Sequence, residues 1–243
     1  MHRSAKSSEP VANRLLAALT SQEYQRVRPH LEDFPLTFGE ILYEPGQSIQ
    51  HVYFPNNGIV SLISMVEERS TLEVGIVGNE GMVGISIFLG ASNSLNRALV
   101  QGAGTAMRMT VQAFRKHIGY NGPLPDLLRH YTHSLLAQIS QTAVCNRFHK
   151  VDARLARWLL MTHDRLGSDE FRLTQKFLSD MLGVRREGVT AAARSLLQAR
   201  LVSYVRGHIT VLNRAGLETA ACKCYKIVKL EMRTKNPHKV AIP

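Results

Sequence analysis

The chain has 243 residues, of which 44% are apolar and 20% charged, the balance of a globular protein with one large domain or two modest ones. It contains no run of about 18 apolar residues, which argues against a helical membrane span. The polar stretch 1–10 lacks the apolar centre of a secretory signal, so a cytoplasmic location is expected. Three cysteines, Cys145, Cys222 and Cys224, do not make a disulfide framework. The net charge of +11 is distributed unevenly. Residues 1–146 hold 11 Lys+Arg against 11 Asp+Glu, whereas residues 147–243 hold 19 against 8. A neutral first part joined to a basic second part points to a polyanionic partner for the second part alone.

In chain order, 1–10 reads as a disordered leader. Ala12–Leu19 and Gln22–Leu31 carry apolar residues at helical spacing, with Thr20 or Ser21 placed to cap the second helix. From Pro35 to Met109 short β-prone runs (Ile41–Tyr43, Val52–Phe54, Ile59–Met65, Leu72–Ile76, Ala98–Val100, Thr105–Met109) alternate with glycine-containing turns. Strands at this spacing predict an antiparallel barrel, roll or sandwich, with a short helix near Ile85–Leu89. Strand texture stops at Val111. After Pro123–Pro125 a long helix is expected over Asp126–Asn146, with Leu128, Tyr131, Leu135, Ile139 and Thr142 stepping by three and four. Such a seam suits a partner helix, hence a homodimer, or equally the chain's own barrel. A further helix is expected over Val151–Leu166 and a loop over Gly167–Glu170.

Thr174 can cap a helix over Gln175–Leu182. Gly183 then stands where a tight inter-helix turn needs positive φ. A second helix follows over Arg186–Ala199, with Val189, Ala192 or Ala193, Leu196 and Leu197 on its buried side. The small Ser179, four residues before Gly183, lets the two helices cross closely. Together these features predict a helix-turn-helix. Arg185, Arg186, Glu187 and Thr190, with Arg194 further along, are placed to meet the major groove of double-stranded DNA, and Thr174 is a further DNA-binding candidate. Leu201–Tyr204 and Ile209–Leu212 flank a turn at Arg206-Gly207-His208 and predict a wing, whose Arg206 and His208 would reach the DNA backbone. The tail from Cys222 to Pro243 is basic and weakly patterned.

This order of elements resembles the Crp/Fnr family of bacterial transcription regulators, most specifically over Leu173–Leu212. The resemblance implies an α+β fold in four parts. A jelly-roll-like, cyclic-nucleotide-binding-like β-roll (a double-stranded β-helix) spans 11–122 and a dimerisation helix 123–148. A winged helix-turn-helix spans 149–220, and a basic tail 221–243. It also implies a dimer on a pseudo-palindromic operator, with RNA polymerase as a further partner. The Arg-Glu pair that opens the family's recognition helix is matched by Arg186 and Glu187. A further arginine often follows four residues later, where this chain has Ala191.

Gly84-Ile85 stands where a nucleotide-binding Gly-Glu pair would be, and Arg97-Ala98 roughly in place of Arg-Ser. Ile85 cannot accept a hydrogen bond from a ribose, which argues against a cyclic nucleotide. Three cysteines cannot supply a four-cysteine iron–sulfur cluster within one chain. His51, His117, His130 and His133 leave ligands for haem without diagnostic spacing, and no metal site is expected. Cys222-Lys223-Cys224 lacks a second half for a zinc site.

No enzyme motif appears: no phosphate loop, no Gly-x-Ser-x-Gly, no His-Glu-x-x-His. The competing reading is a non-DNA regulatory or scaffold module whose basic part binds RNA or membrane without sequence preference.

Overall fold

The computed structural model describes residues 11–67, 70–119 and 122–232. The leader at 1–10 and the end of the basic tail lie outside the described residues. Two short helices open the fold, α1 (Arg14–Ala17) and α2 (Ser21–Val27). Thr20 and Glu23 form a reciprocal capping box at α2. Buried Asn13 caps α1 and donates to the carbonyls of Pro55 and Gly81 at 2.9 and 3.0 Å, tying the helix to the strands.

Seven strands follow: β1 (Glu32–Leu36), β2 (Ile41–Tyr43), β3 (His51–Pro55), β4 (Ile59–Glu67), β5 (Ser70–Val77), β6 (Arg97–Gly102) and β7 (Gly104–Thr110). They build two antiparallel sheets, ordered β1-β7-β3 and β2-β6-β4-β5, whose apolar faces share one core around Val52, Phe54, Val60, Val77, Val100 and Ala106. Strand β1 was not expected. Its Pro35 is tolerated because β1 is an edge strand. The short helices α3 (Ile85–Phe88) and α4 (Val111–His117) complete the roll.

The long helix α5 runs Pro123–Phe148, starting three residues before Asp126. Proline fits the first helical turn because its missing N–H has no intrahelical acceptor there. The seam expected to meet a partner helix faces the chain's own roll instead. Leu128, Tyr131 and Leu135 are buried in the core of the chain's own roll, and Ile139 packs against that core. Two glycines allow this close approach. Gly75 admits Leu135, since a Cβ there would stand 3.3 Å from Leu135 Cδ1, and Gly81 makes room for the Tyr131 ring. Gln138, fully buried, accepts from Ile76 N (3.0 Å) and donates to Ile76 O (3.1 Å), closing the edge of β5 as another strand would. Thr142 also faces inward, where its hydroxyl meets Arg157 at 3.1 Å.

The second half comprises α6 (Val151–Leu166), β8 (Glu170–Arg172), α7 (Gln175–Leu182), α8 (Arg186–Gln198), β9 (Val202–Val205), β10 (His208–Val211), α9 (Arg214–Ala220) and α10 (Cys224–Glu231). The loop expected over Gly167–Glu170 gives way to a third wing strand, β8, so this sheet runs β8-β10-β9. The weakly patterned tail is helical as far as Glu231, with Tyr225 and Val228 buried. Leu197 lies on the exposed side of α8, not the buried one. Leu155, Trp158, Leu159, Leu178, Leu182, Val189 and Leu196 form a core that continues onto Ile59, Ile63 and Ile76 of the roll. Among the described residues no helix is long and apolar enough to cross a membrane.

Candidate nucleic-acid interface

The helix-turn-helix is set by local chemistry. Thr174 accepts a hydrogen bond from Phe177 N at 3.1 Å and starts α7. Gly183 ends α7 in the left-handed conformation, φ 60°, that a side chain would strain. Leu178, Met181 and Leu182 on α7 and Val189, Ala192 and Leu196 on α8 are buried together. The polar face of α8 is thereby turned outward.

The exposed face carries the cations. Arg185, Arg186, Glu187 and Arg194 are exposed, and among the described residues none is in an ion pair. Several basic side chains elsewhere in this half are paired: Arg165 with Glu80 (2.7 Å), Arg214 with Asp164 (2.5 Å), Lys176 with Asp180 (2.6 Å). Arg185 is the N-cap of α8 and provides no side-chain acceptor, so the N–H groups of Arg186 and Glu187 remain available to an anion such as a phosphate, while Gly188 N donates to the Arg185 carbonyl at 3.0 Å. Thr190 is less free, because its hydroxyl donates to the Arg186 carbonyl at 2.9 Å.

The wing turn places Arg206 at φ 48° and Gly207 at φ 83°, the paired positive angles of a tight hairpin. A non-glycine residue there costs on the order of 1 kcal/mol. Arg206 is exposed and has no ion-pair partner among the described residues. His208 differs from the expectation of a free contact, since its Nδ1 lies 3.1 Å from Glu170 Oε1 across the strand pair. The wing is anchored to the segment just before α7 by Leu173 N donating to Gly207 O (2.7 Å) and Tyr204 Oη donating to Leu173 O (3.1 Å).

The expected effector residues do not gather around a ligand space. Gly84 caps α3 at φ 93° and Ile85 packs half-buried on the roll core. Arg97 is paired with Glu44 at 2.8 Å. Ala98 is fully buried within the sheet, in register with Tyr43 and Leu62. A groove of about 530 Å³ does open on the roll, but its lining (Gln50, His51, Ser92, Thr110, Gln112, Arg115 and neighbours) includes none of the four.

The histidines offered for haem are spread apart. His51 lies in that groove, and His117 stacks on His30 with ring centroids 4.3 Å apart. His130 and His133 are exposed on α5, where His133 faces Glu231 at 3.5 Å. The Cys-x-Cys pair, read as lacking a second half, has one: Cys145 and His149, one helical turn apart at the end of α5, meet Cys222 and Cys224. That i, i+4 spacing was the signal available in the sequence.

A β-roll closed by a long helix is followed by a winged helix-turn-helix with unpaired arginines on its second helix, the arrangement of a DNA-binding module attached to a roll. Residues 153–220 match the family model of the Crp-like helix-turn-helix domain. Among solved structures, FixK2 from Bradyrhizobium japonicum is similar at 16% identity, covering 79% of this chain and 98% of that one, with a TM-score of 0.66. A CRP-family transcriptional regulator from Thermus thermophilus is similar at 16% identity, covering 78% of this chain and 96% of that one, TM-score 0.63. A second regulator from the same organism, of the CRP/FNR family, is similar at 21% identity, covering 78% and 98%, TM-score 0.62. No curated protein matches the chain. The chain thus carries a Crp-like helix-turn-helix domain at residues 153–220 and shares its overall fold with regulators of the Crp/Fnr family.

Proposed function

We propose that the chain binds a pseudo-palindromic operator as a homodimer and reads it with the N-terminal turn of α8. The observation that carries this reading is the set of exposed arginines gathered on α8 and the wing, Arg185, Arg186, Arg194 and Arg206, without carboxylate partners, whereas Arg165 and Arg214 are paired and Arg154 and Arg157 are buried. Arg186 can bond a guanine edge in two places, and Glu187 can accept from a cytosine amino group. Arg206 and the free N–H groups at the start of α8 would hold phosphates and fix the register without reading sequence. The strain at Arg206 fits a side chain kept for contact rather than for the turn.

The dimer surface is the face of α5 opposite the predicted seam. Leu136, Ser140, Val144 and Phe148 recur every four residues, with the three apolar members 58%, 41% and 74% exposed. Pairing this stripe with its copy would cover it and set two recognition helices about 34 Å apart. RNA polymerase would be the further partner of such a regulator, and the cytoplasm its place of work.

Arg186→Ala combined with Glu187→Ala tests the assignment. Specific binding to the chain's own upstream DNA should fall at least about 100-fold, with circular dichroism unchanged. Unchanged specific affinity would remove α8 from the role.

A further inference from the structure

Four metal-ligating side chains meet at the joint between the two halves of the molecule. Cys145 and His149 close α5; Cys222 and Cys224 open α10. Cys145 Sγ and Cys222 Sγ are 3.2 Å apart, and Cys224 Sγ is 3.7 Å from His149 Nδ1. All four ligand atoms lie within 4.8 Å of one another. The three thiols are free, and Cys145 and Cys224 are only 1% and 3% exposed. A tetrahedral zinc ion with Zn–S near 2.3 Å and Zn–N near 2.0–2.1 Å sets ligand atoms about 3.5 to 3.8 Å apart along each edge. The four atoms are therefore already close to the separation that such an ion requires.

The surrounding charge gives a second, independent reason. Arg154 and Arg157 are both buried, at 8% and 7% exposure, and neither has a carboxylate partner within ion-pair distance among the described residues. Arg154 donates to the Leu182 carbonyl. Arg157 reaches Thr142, and its buried Nε has no partner among the described residues. Buried cations without counter-charge are costly. Both guanidinium groups lie close enough to the cluster for their charges to interact with its sulfurs. Three thiolates, one neutral imidazole and one Zn²⁺ sum to −1, an anion placed where these guanidinium groups lack one.

We propose that Cys145, His149, Cys222 and Cys224 form a closed, four-coordinate structural site for Zn²⁺. A complete set of four protein ligands with no open position is the pattern of a structural rather than a catalytic zinc. Three sulfurs and one imidazole nitrogen favour zinc over harder divalent ions. Binding forms three Zn–S bonds and one Zn–N bond and releases the thiol protons to solvent; no oxidant or reductant takes part.

The ion joins the end of α5 to the start of α10 across the connection at His149–Lys150, where backbone geometry leaves the helical region before α6 begins. It would hold the winged helix-turn-helix at one angle to α5. That consequence rests on the DNA-binding reading, but the metal site itself does not.

The test is metal binding by the full chain, purified under reducing, anaerobic conditions. Native mass spectrometry should find one Zn²⁺ per chain. Replacement by Co²⁺ should give the visible bands of a tetrahedral cobalt–thiolate centre, which Zn²⁺ then bleaches. His149→Ala and Cys224→Ser should each weaken Co²⁺ binding at least about tenfold, and His149→Cys should restore it with the spectrum of four thiolates. A fully reduced wild-type chain that takes up neither ion overturns the proposal. So does Co²⁺ binding indifferent to His149 and Cys224, a Cys145–Cys222 disulfide as the as-isolated form, or an iron–sulfur chromophore at these cysteines. DNA affinity is scored separately: a metal-loaded chain that ignores DNA would refute the operator reading and leave the zinc site standing.

Discussion

The two halves of this molecule treat polar groups in opposite ways. In the roll they are consumed internally. Asn13 and Gln138 bond buried backbone, Arg97 is paired with Glu44, and Ser61, Glu73 and Gln101 form a buried chain. In the winged helix-turn-helix, a row of arginines on α8 and the wing is left without partners. The roll uses its polar side chains to hold shape, and the second half keeps part of its charge for something outside the chain. The contrast locates the nucleic-acid surface better than the net charge does.

The sharpest way to break this comparison is the Arg186→Ala, Glu187→Ala pair, with its loss of at least about 100-fold in specific affinity and none in fold. Next in size is a contrast between neighbours on α5. Leu135→Ala should cost about 2–5 kcal/mol of stability in a denaturant titration, because it opens a cavity under the roll. Leu136→Glu, on the exposed side, should leave stability nearly unchanged and shift analytical ultracentrifugation from dimer to monomer. Equal stability losses for the two would mean that the helix faces have been assigned wrongly.

Glu73 provides a test within the interior. Burial pushes its carboxyl up to about 7, against hydrogen bonds from Ser61 and Trp158 and the charges of Arg157 and Arg165. Ser61 Oγ stands 2.6 Å from Glu73 Oε2 and 2.5 Å from Gln101 Oε1, and Gln101 Nε2 donates to Thr162 Oγ1. The folded pKa of Glu73 is raised above the unfolded value of 4.5. The contribution is therefore complete below about 4.5 and is lost as pH rises through about 7, on the order of 3 kcal/mol at most. Glu73→Gln should flatten that slope in urea midpoints compared across the same pH range. A slope equal to wild type would place the titration elsewhere.

The smallest effect is expected at the wing. Arg206→Asn relieves the positive φ, so thermal stability should rise slightly, by less than about 1 kcal/mol. DNA affinity should fall a few-fold on every sequence alike, with the salt slope reduced by about one. A loss confined to one operator position would make Arg206 a base reader instead.

The helix-turn-helix was legible because its determinants are local: a capping threonine, a glycine at the turn, and apolar residues at fixed offsets all lie within Leu173–Leu212. The strand spans of the roll were legible for a similar reason, since turn residues punctuate them. The face of α5 was not, because Leu128, Tyr131 and Leu135 and the opposed Leu136, Val144 and Phe148 are both apolar stripes at helical spacing. Only the glycines of the roll, Gly75 and Gly81, decide between them, through close approach. Strand β8 has a single apolar residue, Phe171, too little for a pattern. The Cys145–Cys222 encounter spans 77 residues and exists only in three dimensions, although Cys145 and His149 one turn apart were visible beforehand.

The measurement that bears most directly on the central claim is footprinting of the chain's own upstream DNA, across a salt series with competitor DNA present. A dimeric, sequence-reading chain should protect a pseudo-palindromic site, with half-sites about one helical turn apart, that survives competitor. Binding that disappears uniformly with salt and leaves no footprint would contradict that claim, reducing the arginines of α8 to a non-specific polyanion surface.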